Sequence, residues 1–211
     1  MIRRSRRPPY RLFSLLLDYP ADEVLAARPE LAAAVAALPR SREKAALELF
    51  FDYFGAGEPG ALQRAYVETF DLQRRASLYL TYFSEGDTRR RGQALLRLKR
   101  LYAAAGFELD GRELPDYLPV MLEFAEAGPE GAGRQLLAEN RRGLELLRLH
   151  LADVGSHYRH LVEGLCAGLP KLRAPDLEAV SRLLREGPPA EQVGLQPYGP
   201  PELVGAEAPS R

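Results

Sequence analysis

Three histidines and one cysteine are the residues here best suited to metal or nucleophilic chemistry: His150, His157, His160 and Cys166. On one helix, His157 and His160 stand three residues apart and can face a single ion, with Glu163 as a third ligand. His150 lies a further two turns back, about 10.5 Å along a helix axis, too far for the same ion. Cys166 is a lone thiol, which excludes an intramolecular disulfide and any CxxC motif. As a nucleophile it would need a positioned base, and the spacing supplies none. This set carries one alternative function, a helical metal-dependent enzyme using His157, His160 and Glu163. Polar histidines on the solvated side of an amphipathic helix explain the same spacing. No GxxxxGK, GxSxG or HExxH sequence occurs, so P-loop phosphate, acyl-transfer and zinc-protease chemistries have no carrier.

Charge gives a second kind of chemistry. Lys+Arg 29 balance Asp+Glu 29, so bulk attraction to nucleic acid is not expected. The zero hides two blocks. Arg89, Arg90, Arg91, Arg97, Lys99 and Arg100 fall between Thr88 and Arg100 without an acid. Glu108, Asp110, Glu113, Asp116, Glu123, Glu126 and Glu130 then face Arg112 alone. The blocks can pair with each other as solvated faces. They can also form an acidic rim beside Tyr117, Val120, Leu122 and Phe124, which suits a basic amphipathic peptide laid in a groove.

Positioning such groups falls to helices. Leucine occurs 37 times and alanine 29 times, against 13 Ile, Val and Thr together. Leu and Ala favour helix, and the branched residues that strands use are scarce. The expected fold is all-α, a single-domain bundle of about nine or ten helices. Helix one is placed at Tyr10 to Leu17. Ser41 is an N-cap for a helix reaching Phe54. A helix from Thr88 to Ala105 is closed by Gly106. Asp116 is expected to cap the next helix, with Pro119 in its first turn. Leu137, Leu144, Leu147, Leu151, Val154, Tyr158, Leu161 and Leu165 keep one stripe, which predicts a single long helix through Gly143 and Gly155.

The organisation predicted is a basic arm over 1–9, a helical domain over 10–186 and an irregular Pro/Gly-rich tail over 187–211. Ser5-Arg6-Arg7 hints at a twin-arginine export signal. The apolar stretch after it ends at Asp18-Tyr19-Pro20, too short for a signal peptide, so a cytoplasmic protein is expected. The longest apolar run, Leu31 to Leu38, falls far short of a membrane span of about 20 residues.

Tyr66-Val-Glu-Thr-Phe-Asp71, Ser77-Leu-Tyr-Leu-Thr-Tyr82 and Gly86-Asp-Thr-Arg-Arg-Arg-Gly92 carry a resemblance, together with Glu113-Leu-Pro-Asp-Tyr-Leu-Pro119 and Leu122-Glu-Phe124. Over roughly residues 10–170 the chain resembles the nitrate reductase molybdenum cofactor assembly chaperones (NarJ-type), relatives of the chaperones of twin-arginine-exported redox enzymes. The resemblance implies an all-helical cytoplasmic protein without catalysis. It implies binding of the N-terminal peptide of the nitrate reductase catalytic (alpha) subunit. It also implies an apoenzyme held competent for molybdenum cofactor insertion before membrane docking. A chaperone for a different exported molybdoenzyme is the near alternative. The cofactor goes to the client, so none is expected here, nor a metal, nucleic acid or membrane partner. A monomer or weak homodimer is expected. The peptide site it implies is Glu113, Asp116, Tyr117 and Glu123 with Tyr66, Phe70, Tyr79 and Tyr82 as groove wall, and Arg89 and Arg91 as possible charge partners.

Overall fold

Leucine-rich stripes at helical spacing leave most elements with one apolar side, and a computed structural model shows where those sides meet. It describes residues 8–189. Residues 1–7 of the expected 1–9 arm, and residues 190–211 of the expected 187–211 tail, lie outside the described residues. Twelve α-helices and no extended sheet occur among the described residues. They are α1 (Tyr10–Leu17), α2 (Asp22–Ala26), α3 (Arg28–Ala37), α4 (Arg42–Ala56), α5 (Pro59–Tyr66), α6 (Thr81–Glu85), α7 (Arg89–Ala104), α8 (Leu118–Ala127), α9 (Ala132–Glu139), α10 (Arg141–Asp153), α11 (Arg159–Ala167) and α12 (Ala174–Glu186). No helix is long and apolar enough to cross a membrane among the described residues.

The all-α expectation holds, with more and shorter helices than expected. The long stripe from Leu137 does not continue as one helix. Asn140 leaves helical geometry at φ −95° and ψ 16°, separating α9 from α10. Gly155 then adopts φ +68°, a left-handed conformation that glycine takes without a Cβ clash, and the chain turns before α11. Val154 is consequently 45% exposed, whereas Tyr158 is buried. Ser41 does cap α4, accepting from Lys44 N at 3.1 Å. The Lys44 ammonium reaches back to the Ala36 and Leu38 carbonyls at 2.7 and 3.0 Å, closing α3 at the helix end where cations are favoured.

The core forms where α4 crosses α11 and α1 lies against α8. Phe13, Leu17, Leu47, Phe50, Leu118, Leu122 and Leu161 are fully enclosed there. At the α4–α11 crossing a Cβ on Gly164 would stand 2.7 Å from Ala46 Cβ and 2.9 Å from the Phe13 ring. Neither helix backbone can yield cheaply in a close-packed interior. Gly164→Val is therefore expected to cost about 1–3 kcal/mol or more from overpacking, read as a lower denaturant midpoint.

Asp116 and Glu145 are the two buried carboxylates of this framework among the described residues. Glu145 on α10 is nearly buried and bridges Arg141 at 2.9 Å and Arg148 at 2.5 Å. Burial alone pushes its carboxyl up, but the hydrogen bonds from Arg148 and Arg141 prevail and hold it below its ordinary 4.5. A depressed carboxyl stabilises the fold above its unfolded value, and that contribution disappears as pH falls through the folded value. The stability gap between the native chain and Glu145→Gln is expected to be full near neutrality and to shrink below about pH 4.5. Denaturation at several pH values checks this.

Candidate peptide-binding cleft

Two segments far apart in sequence form the base of the cleft. Leu80 N donates to the Asp116 carbonyl at 3.0 Å and Leu118 N to the Leu78 carbonyl at 2.8 Å. This single antiparallel rung pairs Tyr79 with Tyr117. Side chains alternate across such a rung, so Leu78, Leu80, Asp116 and Leu118 go inward while Tyr79 and Tyr117 share the outer side. Their rings lie 5.2 Å apart.

Around them opens a cleft of about 500 Å³. Its aromatic wall is Tyr19, Tyr66, Phe70, Tyr79, Tyr82 and Tyr117. Its carboxylates are Asp18, Asp71, Asp87 and Glu113, against Arg74 and Arg91. Two of the carboxylates are held by tyrosine hydroxyls. Tyr117 donates to Asp18 Oδ1 at 3.0 Å, and Tyr79 donates to Glu113 Oε2 at 2.8 Å. The Tyr66 hydroxyl meets that of Tyr117 at 3.0 Å and the Leu17 carbonyl at 3.4 Å. Burial, then these charged and hydroxyl neighbours, push the Tyr117 hydroxyl far above its ordinary value, and burial followed by Glu113 does the same for Tyr79. Both phenols therefore stay protonated donors at neutral pH, aiming fixed negative oxygens at the cleft mouth.

Asp116 is not the cap of α8. Tyr117 occupies that position, and the Asp116 side chain, 0% exposed, turns to α6. Its Oδ2 accepts from Thr81 Oγ1 at 2.6 Å and Thr81 N at 3.3 Å, and meets the Arg91 guanidinium at 3.5 Å. Arg91 in turn touches Asp87 at 3.4 Å and lies 5.9 Å from the centroids of both Tyr79 and Tyr82, within cation–π range. Asp116 thus gives the cleft no surface; it holds from behind the cation that braces two wall tyrosines.

The other expected site residues separate. Glu113, Tyr117, Tyr66, Phe70 and Tyr82 line the cleft together with Arg91. Glu123 lies on the outer side of α8, paired with Arg11 at 2.7 Å in a different hollow. Arg89 is exposed on the first turn of α7 and is not part of the cleft wall. Asp18, Tyr19, Asp71, Arg74 and Asp87 also line the cleft and are not among the expected site residues. Asp18-Tyr19-Pro20 reads in sequence only as the stop of an apolar run, although an acid and a tyrosine just past a helix end are the available hint.

His157 stacks flat on Tyr53 with centroids 4.1 Å apart, and His160 Nδ1 reaches Glu163 at 3.4 Å. Burial first, then the neighbouring His160 and Arg159 charges, push His157 below its ordinary value. No three His, Cys, Asp or Glu side chains among the described residues come together to hold an ion. Cys166 is buried, which raises its thiol to about 11 and keeps it an unreactive neutral group.

Comparison with known proteins bears on this cleft. The family described as nitrate reductase delta subunit matches residues 26–162. The chain is 35% identical over 168 residues to the probable nitrate reductase molybdenum cofactor assembly chaperone NarJ of Bacillus subtilis (strain 168), covering 80% of this chain and 91% of that protein. The chain belongs to this family, that of the NarJ-type chaperones. NarJ of Escherichia coli (strain K12) is 34% identical over 155 residues, 72% of this chain and 65% of its own length. The nitrate reductase-like protein NarX of Mycobacterium tuberculosis (strain ATCC 25618 / H37Rv) is 36% identical over 156 residues, which are 72% of this chain but only 23% of NarX. The family match takes in α3 to α10 and both segments of the Tyr79–Tyr117 rung. Asp18 and Tyr19, on the cleft's remaining edge, precede it.

Proposed function

We propose that this chain is a dedicated assembly chaperone for nitrate reductase whose cleft beside Tyr79 and Tyr117 receives the N-terminal peptide of the catalytic subunit. Bound there, the peptide would keep the apoenzyme competent for molybdenum cofactor insertion and delay docking to its membrane partner. The cofactor passes to the client, and the chaperone works in the cytoplasm without catalysis of its own. One observation carries the reading: five tyrosines and four carboxylates share one open cleft. Apolar burial on the rings supplies affinity, and the fixed carboxylates select a cationic, amphipathic helix and set its orientation. The family's named members, chaperones of nitrate reductase, support the choice of client.

Calorimetric titration of the full chain with that peptide tests it. Saturable binding that weakens with added salt is expected. No binding at high micromolar peptide would overturn the reading.

A further inference from the structure

A second hollow of about 410 Å³ lies along the outer side of α8. Phe107 and Phe124 give it an apolar base, and Glu108, Glu123 and Glu126 its rim. Among the described residues that line it, Arg11 is the one base. Arg11 stands at the start of α1, where its guanidinium meets Glu123 at 2.7 Å and its backbone N–H meets Glu126 at 3.2 Å. One arginine of this chain is therefore already seated on the acidic rim.

The residues that precede α1 carry more of the same chemistry. Arg3, Arg4, Arg6 and Arg7 fall within residues 1–7, with no acid among them. Seven residues reach at most about 23–25 Å. Pro8, from which they extend, is one turn of chain from Arg11. A tether this short presents its charges at roughly millimolar effective concentration, and three carboxylates within reach are their natural counter-charges. We propose that residues 1–7 dock as an internal cationic ligand on the Glu108–Glu123–Glu126 hollow, with Arg11 as the fixed anchor. The inference is independent of the client-binding reading, because its occupant belongs to this chain. Its consequence is that the acids of α8 are neutralised from within, leaving the Tyr79–Tyr117 cleft as the main negative opening.

The test uses the full chain with a nitroxide on Ser5→Cys; buried Cys166 does not compete for the label. In nitrogen-15-labelled protein, the amides of Phe107 to Leu109 are expected to broaden. Signals beside Pro8 broaden whatever the arm does, so they are not the readout. The broadening should vanish at about 1 M salt, where the Debye length is about 3 Å, and in Glu108→Gln/Glu123→Gln/Glu126→Gln protein whose helicity is intact. The salt arm decides if the triple variant does not fold. Absent broadening at Phe107 to Leu109, or broadening indifferent to salt and to the glutamines, overturns the proposal. So does broadening that appears when spin-labelled unenriched chain is mixed with unlabelled enriched chain, which would make the occupant the arm of a second copy.

Discussion

Asp116→Ala is expected to lower folding stability by about 3–5 kcal/mol, the usual cost of stripping one partner from a buried ion pair. Asp116 is wholly enclosed, and Arg91 is only 19% exposed, its one other carboxylate partner among the described residues being the outlying Asp87. The substitution also leaves Thr81 Oγ1 without its 2.6 Å acceptor. For a chain of this size the melting temperature should fall by roughly 6–20 °C. Removing both charges is the decisive comparison. Asp116→Ala with Arg91→Met should recover much of the loss, because no uncompensated charge then remains inside. A loss under about 1 kcal/mol for Asp116→Ala would show that the pair does not bear on stability. Peptide affinity should fall too, since Arg91 loses the anchor that holds it against Tyr79 and Tyr82, although Asp116 lines no part of the cleft.

The second large effect concerns binding with the fold intact. Asp18 and Glu113 are exposed, held by Tyr117 and Tyr79, and directed to the cleft mouth. In the double variant Asp18→Lys/Glu113→Lys each site loses an attraction to a cationic peptide and gains a repulsion. Screened pairs of this kind are worth about 0.2–1 kcal/mol each, so reversal at two sites amounts to roughly 1–4 kcal/mol, a 5- to 1,000-fold weaker complex. The association rate should carry much of the change, and the salt dependence should flatten. Glu30→Lys, at an exposed position of α3 away from the cleft, should leave affinity as it is. Equal weakening by Glu30→Lys, or no weakening by the double variant, would remove the cleft from the account.

Much of the fold is legible in the residues because helices are local. α1 is bounded by Pro9 and by Asp18-Tyr19-Pro20, and its predicted limits agree with the structure. Ser41 announces α4 by capping it within three residues, and Thr88 and Gly106 flank α7, although the Thr88 side chain makes no cap there. The stripe from Leu137 to Leu165 misleads because apolar spacing survives a turn. Asn140 and Gly155 break the helix while Leu144 and Tyr158 still face the same core. The cleft is less legible, since its parts come from the two residues after α1, the end of α5, the stretch 67–82, Asp87, the start of α7 and residues 113–117. Aromatic enrichment in 66–82 marks one wall, but nothing in the spacing of Asp18 points to Tyr117. Asp116 shows the limit most plainly. Its type and its place before a proline-led helix argue for a cap, and only the rung with Leu80 turns it inward to Thr81.

The long reach of those contacts bears on when the cleft comes into being. Thr81 and Asp116 are 35 positions apart, Tyr66 and Tyr117 are 51, and Tyr117 and Asp18 are 99. Loop closure over such spans is slow beside the zipping of single helices. A nascent or heat-shocked chain can therefore regain nearly all its helical signal before any tyrosine hydroxyl has met its carboxylate, and ligand capture should report maturation of the whole polypeptide where circular dichroism does not.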